Sequence, residues 1–400
     1  MPTPAPPLAV ATAGLGDVLQ LFRTEPTLTR ADVMALTGLS RSTVNQRLDA
    51  LLAAALVVPS GEGAPTGGRP ASRFAFNSER GVLLVADIGA TGMRTALCNL
   101  RGEVRQEHEQ SLDVATGPDI VLSVVDEAFR ALLAEAGRAA ADVHGIGIDV
   151  PGPVDFDRGQ VVSPPIMSGW DRYDIRAWFA GRYDCPVLVD KDVNAMAVGE
   201  HRSLYPEVRQ LLMVKVGTGV GAGMIIDGEV FRGADGAAGD IGHIQLTVDD
   251  TDNEPVCRCG NTGCVEAYAG GWALVRDLNA AGRPVSTVQE ALALIRTGDV
   301  TAVRLARRAG RILGHAIADA VSLLNPGVVV IGGQLAQIEE QLFAGIREMV
   351  YRRSLPLATR KLSIAATALG PRSGLVGMAL LLADSIFAAH RVEGLIARRD

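Results

Sequence analysis

Residues 82–92 read VLLVADIGATG, and residues 211–223 read LLMVKVGTGVGAG. Each segment is an apolar run that passes into a glycine-rich turn, which is the pattern of a strand, a tight turn and a returning strand. The two turns, at 87–94 and 217–223, lie about 130 residues apart. This spacing predicts two similar α/β lobes with a cleft between them.

Three further segments also resemble apolar strands that end in turns. They are GIGIDVPGPVD (145–155), VLVDKDVNA (187–195) and GVVVIGGQ (327–334). Helical periodicity in residues 120–136 and 303–324 is interleaved with these segments. Strands that alternate with helices indicate an α/β fold.

Length and charge limit the class of protein. A chain of 400 residues, 48% of them apolar, is long enough for two or three domains with buried cores. Its net charge of −7 argues against a nucleic-acid-binding surface over the whole molecule. Residues 1–80 are the exception, because they contain seven arginines and six acidic residues.

The segment before residue 80 has the pattern of a helix-turn-helix. An amphipathic stretch from Asp17 predicts a short first helix. Thr29 is a suitable N-cap for a second helix over 30–37, and a tight turn at Gly38 leads to a third helix capped by Ser40. The apolar side chains of this third helix recur at helical spacing and are Val44, Leu48, Leu51 and Leu52.

A β-hairpin is predicted directly after these helices. Residues 56–58 and 72–76 favour strands, and the glycine- and proline-rich residues 60–70 favour a loop between them. A hairpin in this position is a wing, so the sequence predicts a winged helix-turn-helix domain over residues 1–80.

The third helix has the composition of a DNA recognition helix. Its candidate DNA-binding residues are Arg41, Ser42, Thr43, Asn45, Gln46 and Arg47. Arginine pairs with guanine, asparagine and glutamine pair with adenine, and hydroxyls bind phosphate. In the wing, Arg69 is suited to a narrow, A·T-rich minor groove. The alternative is a three-helix interaction module whose polar face is only solvated.

Three of the five cysteines fall within eight positions, which is typical of a metal site. Together with a preceding histidine they give the ligand set His243, Cys257, Cys259 and Cys264. Three thiolates and one imidazole predict a closed, structural Zn²⁺ site. Surface thiols without metal are the alternative. Zinc at this site would order the loop that carries Glu266.

The rest of the chain predicts a soluble protein of a reducing compartment. Cys98 and Cys185 have the pattern of ordinary buried thiols, and the N-terminus has no basic segment of a signal peptide. The longest apolar stretch, 375–389, is interrupted by Gly377 and Asp384 and is too short to span a membrane.

Seven motifs occur in a fixed order over about 250 residues. They are DIGAT (87–91), GIDVPGPV (147–154), DVNA (192–195), GTGVG (217–221), GDIGH (239–243), CRCGNTGCVE (257–266) and GG (332–333). This series resembles the ROK family of repressors, open reading frames and sugar kinases. The resemblance implies a two-lobed, actin-like ATPase fold of the sugar kinase, Hsp70 and actin type, with a sugar between the lobes. The winged helix in front resembles the transcriptional regulator branch of the family.

The resemblance also implies domain boundaries. The winged helix occupies 1–80, and a first α/β lobe occupies 81–193 and is completed by a C-terminal helix over 375–390. A second lobe over 194–374 carries the zinc loop and an oligomerisation surface.

Site residues follow from the same resemblance. Asp192 matches the family's catalytic base. The sugar- or ligand-binding positions are Lys191, Asp192, Asp240, His243 and Glu266. The nucleotide-phosphate positions are Asp87, Gly89, Thr91, Gly217, Thr218, Gly219, Gly332 and Gly333, for which tight turns of an α/β fold are the alternative reading. His243 would hold zinc through one ring nitrogen and face the ligand with the other.

The sequence departs from the kinases at several of these positions. Lys191 stands where the kinases usually have Asn, Asp240 replaces Glu, and Ile166 and Gly92 replace polar or basic residues. These departures count against ATP turnover and against ATP and Mg²⁺ as cofactors. Lys191 either pairs with Asp192 or Asp240 and neutralises the pocket, or binds an anionic sugar derivative. Lys215 is more typical of a solvated charge at a strand end.

Two functions follow. The first is a sugar-responsive regulator, a repressor of carbohydrate uptake and catabolism genes in the bacterial cytoplasm, associated with the nucleoid when bound to DNA. It would act as a homodimer or a dimer of dimers on a palindromic double-stranded operator. The alternative is an ATP-dependent kinase of a hexose or amino sugar with a regulatory DNA-binding head.

Overall fold

Strands and helices alternate along most of the chain, and a computed structural model describes residues 13–62, 71–247 and 254–397. The strands are β1 (Leu28–Thr29), β2 (Val57–Glu62), β3 (Ser72–Phe76), β4 (Val82–Ile88), β5 (Gly92–Asn99), β6 (Val104–Ser111), β7 (Val143–Val150), β8 (Val154–Asp155), β9 (Gln160–Val161), β10 (Val187–Lys191), β11 (Gln210–Val216), β12 (Val220–Ile226), β13 (Glu229–Phe231), β14 (Val328–Gly332) and β15 (Ser363–Ala366). The helices are α1 (Leu15–Thr24), α2 (Arg30–Thr37), α3 (Arg41–Ala53), α4 (Pro118–Glu135), α5 (Ile175–Ala180), α6 (Asp192–Leu204), α7 (Val265–Ala269), α8 (Gly271–Ala280), α9 (Val288–Arg296), α10 (Val300–Leu324), α11 (Glu339–Arg353), α12 (Pro356–Thr359), α13 (Ser373–Ile386) and α14 (Val392–Ala397).

The N-terminal part is a helix-turn-helix with a small sheet. Helices α1, α2 and α3 pack with one another, and β1, β3 and β2 form an antiparallel sheet in that order. Fully buried side chains of this part include Val18, Leu19, Phe22, Val33, Val44, Leu48 and Leu51. The predicted helices and the two strands of the hairpin are confirmed. The loop between these strands, 63–70, lies outside the described residues.

Local hydrogen bonds explain where the second and third helices begin. Thr29 Oγ1 accepts the backbone N–H of Asp32 at 3.2 Å, and the Asp32 carboxylate accepts the N–H of Thr29 at 2.8 Å. Ser40 Oγ accepts the N–H of Thr43 at 3.3 Å. Gly38 ends α2 in the left-handed conformation, with φ 67°. Both predicted N-caps and the predicted turn are therefore confirmed.

The first five-stranded sheet lies within residues 82–191 and has the order β10-β7-β4-β5-β6. Strands β10, β7 and β4 are parallel, whereas β4, β5 and β6 run antiparallel. Leu84 and Ala86 of β4 belong to the same buried core as the apolar side chains of α4, and Leu83 and Val85 belong to the core that contains α13. Because β4 is buried on both faces, it is apolar at successive positions.

The second five-stranded sheet lies within residues 210–366 and repeats this arrangement. Its order is β13-β12-β11-β14-β15, with β11, β14 and β15 parallel and β11, β12 and β13 antiparallel. Helices α10 and α11 contribute to the core on one side of the sheet. The repeat confirms the prediction of two similar α/β lobes, and the turns β4–β5 and β11–β12 occupy equivalent places in them.

Helices α6 and α13 pack on each other between the two sheets. Helix α6 contacts β11 and β12, and α13 contacts β4 and β7. A Cβ at Gly377 of α13 would lie 1.7 Å from the carbonyl oxygen of Ala195. A Cβ at Gly199 of α6 would lie 2.3 Å from the carbonyl oxygen of Ser373. Only glycine at these positions allows the two helices to approach so closely.

The winged helix is packed directly against the C-terminal part of the chain. The rings of Phe76 in β3 and Phe387 after α13 meet edge to face, with centroids 5.3 Å apart. Arg101 Nη1 donates to the carbonyl oxygen of Arg23 in α1 at 2.6 Å. These contacts fix α1 and β3 on the first lobe.

Among the described residues, no single helix is long and apolar enough to cross a membrane. The segments Gly370–Ile386 and Ala389–Ala397 reach the required length and composition only when they are counted together across a bend of 51°.

Candidate ligand cleft, metal centre and DNA-binding face

The two glycine-rich turns contribute to the wall of one cavity of about 1000 Å³. The predicted phosphate positions on this wall are Asp87, Gly89, Thr91, Gly217, Thr218, Gly219 and Gly333. The predicted ligand positions on the wall are Lys191, Asp192, Asp240, His243 and Glu266. Gly332 is not among the lining residues, because it lies in β14 with the side chain of Met213 close above it. The fold thus gathers all the other predicted phosphate and ligand positions into one cleft.

Asp192 is buried at the first position of α6, and its partner is a lysine from the other lobe. Lys215 Nζ, from β11, donates to Asp192 Oδ2. Burial alone would lower the pKa of Lys215, but the carboxyls of Asp192, Asp87 and Asp149 outweigh burial and raise this pKa above its ordinary value. The expectation of a solvated charge at Lys215 is therefore wrong, because its side chain crosses the cleft to buried carboxyls.

Lys191 is paired as well. Its Nζ donates to Asp240 Oδ1 at 2.6 Å and to the carbonyl oxygen of Ala238 at 3.4 Å. Of the predicted pairings, the structure has the one with Asp240 and not the one with Asp192. The pair joins the end of β10 to the second lobe and neutralises that wall of the cleft.

A second ion pair lies next to the first. Arg232 donates from Nε at 3.0 Å and from Nη2 at 2.6 Å to Asp190 Oδ2, and its guanidinium stacks over the ring of Phe156 at 3.8 Å. Asp190 Oδ1 accepts the backbone N–H of Lys191 and the amide of Asn194, both at 2.8 Å. Asp190 is therefore fully engaged in holding the start of α6 in place.

Glu266 is held against the second glycine-rich turn. Its Oε2 accepts the backbone N–H of Val220 at 3.0 Å, and its Oε1 accepts Trp272 Nε1–H at 3.3 Å. A Cβ at Gly219 would lie 2.5 Å from Glu266 Oε2, so the turn needs glycine there. The carboxylate of Glu266 therefore has a fixed orientation at the cleft wall.

The four predicted metal ligands come together. One ligand atom of each of His243, Cys257, Cys259 and Cys264 lies within 4.8 Å of the others. The Sγ atoms of Cys259 and Cys264 are 3.8 Å apart, and Cys257 Sγ is 3.8 Å from His243 Nδ1. Tetrahedral Zn²⁺ with Zn–S bonds of about 2.3 Å needs sulfur atoms roughly 3.8 Å apart. The donor set and its spacing fit zinc, and His243 also lines the cleft.

The candidate recognition helix presents a polar face. On α3, Arg41, Ser42 and Gln46 are exposed, Thr43, Asn45 and Arg47 are half-buried, and Val44 and Leu48 are buried. The hydroxyls of Ser42 and Thr43 each lie 2.9 Å from Ser40 Oγ at the start of the helix. The candidate wing residue Arg69 lies outside the described residues. All six candidates on α3 are at least partly accessible to a ligand.

Most of the two lobes that form the cleft match one known protein family. Residues 84–385 match the ROK family. The chain belongs to this family. The match begins in β4, so α1, α2, α3 and the β2–β3 hairpin precede the matched part of the chain.

Relatives of this ROK protein include both regulators and kinases. The xylose repressor of Bacillus subtilis is 26% identical over 91% of this chain and 93% of its own. A solved ROK family transcriptional regulator, a homologue of the E. coli MLC protein, has a TM-score of 0.80 and 25% identity, and covers 96% of this chain and 98% of its own. A Streptomyces griseus ROK glucokinase, solved with glucose and AMPPNP, has a TM-score of 0.63 and 28% identity, and covers 76% of this chain and 99% of its own. The predicted actin-like α/β fold preceded by a winged helix is thereby confirmed.

Several cleft residues of this ROK protein were not among the predicted ones. The additional polar or aromatic lining residues include Arg94, Glu109, Arg258, Trp272, Gln289 and Gln334. Buried Asp149, next to the cleft, was also missed, although a carboxyl inside the apolar strand VHGIGIDV was a signal in the sequence. The pairing of Asp190 with Arg232 carried no such signal, because the two residues are 42 positions apart and meet only in the folded chain.

Proposed function

We propose that this ROK protein is a sugar-responsive transcriptional regulator, a repressor of carbohydrate uptake or catabolism genes, with its ligand in the cleft between the lobes. The observation that carries this proposal is that α13 has cleft-lining residues at one end and the winged helix at the other. Ser373 and Gly374 line the cavity, and Asp384 and Phe387 contact α1 and β3. Likeness to a xylose repressor and to a ROK family transcriptional regulator, each over more than 90% of the chain, supports the same function.

Asp384 joins three helices at the end remote from the cleft. Its Oδ1 accepts Arg23 Nη2 of α1 at 2.8 Å, and its Oδ2 accepts Arg202 Nη1 of α6. Helix α6 begins at Asp192 in the cleft. A ligand that moves the lobes therefore moves α6 and α13, and the Asp384 carboxylate passes this movement to α1. Such a link changes operator affinity only as far as ligand affinity differs between the two arrangements.

The division into domains is proposed along the same lines. We assign 1–80 to the winged helix, 81–193 with 375–390 to the first lobe and 194–374 to the second. Packing of α13 on β4 and β7 supports the contribution of the C-terminal helix to the first lobe. Exposed Leu323, Leu355 and Leu357 at the ends of neighbouring helices support an oligomerisation surface on the second lobe. A homodimer or dimer of dimers would place two winged helices on a palindrome.

A structural zinc ion is proposed at His243, Cys257, Cys259 and Cys264. Its contribution is to hold the loop that leads into α7, where Glu266 lies. His243 would then bind zinc through Nδ1 and leave Nε2 for a ligand hydroxyl.

The experiment that tests this function is a selection of genomic fragments by the purified protein at about 150 mM salt, where non-specific phosphate binding is weakened. We expect enrichment of palindromes beside sugar-uptake or catabolic genes in the bacterial genome. A variant with Arg41→Ala is the control for reading by α3. Equal enrichment by both proteins, without a shared motif, would contradict the proposal, and ATP turnover with a panel of sugars would then test the kinase alternative.

Replacement of Asp384 by alanine is expected to uncouple the cleft from the winged helix. Wild-type operator affinity should change about 5- to 150-fold when D-xylose or D-glucose, the sugars named for relatives, binds. In the variant the carboxylate that joins α1, α6 and α13 is absent, so this change in operator affinity should shrink to about twofold. The sugar should still bind. Fluorescence anisotropy with labelled operator, with and without sugar, measures both quantities. Glu135→Ala removes an exposed contact with His108 on the first lobe and is the control. An unchanged response in Asp384→Ala would contradict the coupling.

The charge of the ligand is tested at Lys191. Because Lys191 is neutralised by Asp240, we propose a neutral sugar rather than an anionic derivative. Lys191→Asn should lower affinity for the neutral sugar about tenfold, since Asp240 loses the partner that orients it, and should leave binding of D-glucuronate and glucose 6-phosphate unchanged. Calorimetric titration of the three ligands measures this. A selective loss of binding to the two anions would show that Lys191 is an anion ligand.

A further inference from the structure

Two carboxyls lie side by side at the cleft, and the first of them, Asp87, is part of its wall. Asp87 at the end of β4 and Asp149 at the end of β7 are paired in the parallel register of the first sheet. Asp149 is fully buried, and within the described residues neither of its oxygens accepts a hydrogen bond from an N–H or hydroxyl donor. Burial, followed by the charge of Asp87, raises the pKa of Asp149 well above its ordinary value. Burial and the neighbouring Asp87 carboxyl therefore both favour the neutral form of Asp149.

A single ammonium group serves these carboxyls and Asp192. Lys215 Nζ donates to Asp192 and is also attracted by Asp87 and Asp149. The three acids come from β4, β7 and α6, whereas the lysine comes from β11 of the other sheet. Asp192 is buried and Asp87 is half-buried. The charge of Arg94, opposite Asp87 in the β4–β5 ladder, also acts on Asp87. Lys215 is therefore the cation that holds Asp192, whose burial requires a partner.

The backbone around Lys215 leaves room for its side chain. In the second sheet its Cα partners are Gly221 on β12 and Gly332 on β14. Both neighbours are glycines, so no side chain stands beside Lys215 on the adjacent strands. Lys215 can therefore extend across the cleft, and Gly217 at the turn lies close to its Cε.

The group that the ROK kinase resemblance implies at this place is a phosphate-bound magnesium ion. Carboxylate oxygens from several strands are ligands that such a cation takes. In this chain, however, the carboxylates already hold an ammonium, and Lys215 Nζ is bonded to an Asp192 oxygen. Magnesium does not fit beside this lysine, because a divalent ion and an ammonium would compete for the same oxygens.

We propose that Lys215 is a built-in counter-ion that takes the divalent-cation position of the cleft and excludes magnesium, and magnesium-bound nucleotide, from this protein. The proposal is independent of DNA binding. It also predicts that a cleft with the glycine-rich turns and an aspartate at the base position does not carry out phosphoryl transfer, since Asp192 is held by the lysine.

Removal of the lysine charge tests this directly. The zinc-loaded, full-length protein and its Lys215→Ala variant are titrated with Mn²⁺, with free Mn²⁺ followed by its electron paramagnetic resonance signal, and with Mg²⁺ by calorimetry. We expect the variant to bind about one equivalent of Mn²⁺ at least tenfold more tightly than the wild type. Lys361→Ala, at an exposed lysine, is the matched control and should behave as the wild type.

A second variant shows where the gained ion binds. Adding Asp87→Asn to Lys215→Ala should remove the gained Mn²⁺ binding. If Lys215→Ala is unstable because its carboxyls are unpaired, its unfolding midpoint should rise with Mg²⁺ whereas that of the wild type should not. A folded Lys215→Ala protein that binds Mn²⁺ no more tightly than the wild type would overturn the proposal.

Discussion

Zinc affinity is expected to fall at least about 100-fold when Cys264 is replaced by serine, which corresponds to roughly 2.7 kcal/mol. A serine hydroxyl is a poor zinc ligand, because the thiolate is the species that binds. Cys264 is fully buried and lies at the start of α7. Water therefore cannot take the place of the lost thiolate ligand unless the loop opens. The zinc content after purification and competition with a chromogenic chelator measure this loss.

The effect should reach the cleft as well. Glu266 lies two residues after Cys264, and its carboxylate fixes the glycine-rich turn by accepting the backbone N–H of Val220. When the ligand set is broken, we expect lower affinity for sugar together with a lower unfolding midpoint. Cys185→Ser is the control, since Cys185 lies outside the metal cluster. A Cys264→Ser protein that keeps one zinc ion at wild-type affinity would contradict a four-ligand site.

Features that depend on neighbouring residues could be predicted from the sequence. The caps at Thr29 and Ser40 each use a donor three residues further along the chain, so local sequence determines them. The spacing of Cys257, Cys259 and Cys264 similarly placed the metal cluster. The two sheets followed from apolar runs that end in glycine turns, since both faces of these strands are buried.

Features that depend on contacts between distant segments could not be predicted. Lys215 meets Asp192 across 23 positions, and Asp384 meets Arg23 across 361. The charge of each residue is visible in the sequence, but which of several opposite charges it faces depends on how the two lobes and the winged helix pack. For this reason the sequence left two partners open for Lys191, and the fold selected Asp240.

Operator affinity is expected to fall about 5- to 150-fold when Arg41 is replaced by alanine, the range for loss of one bidentate base contact of about 1–3 kcal/mol. Arg41 is exposed at the first position of α3, the end of a recognition helix that enters the major groove. Arg209→Ala removes an exposed arginine outside the winged helix and outside the proposed oligomerisation surface, and should leave affinity unchanged. Fluorescence anisotropy with the selected operator at about 150 mM salt measures both variants.

The salt dependence of the same variant distinguishes two roles of Arg41. If Arg41 contacts a base, discrimination at one operator position should relax while the slope of log Kd against log salt stays constant. If it contacts phosphate, affinity should fall evenly across sequences, and the slope should decrease by about one. Gln46 provides the comparison, since its neutral amide has no counterion to release and its loss should alter specificity alone.

Because Ser42 and Gln46 are four residues apart on one face of α3, both should read neighbouring bases if α3 lies in the groove. Unchanged affinity in Arg41→Ala and Gln46→Ala would mean that another surface binds the operator.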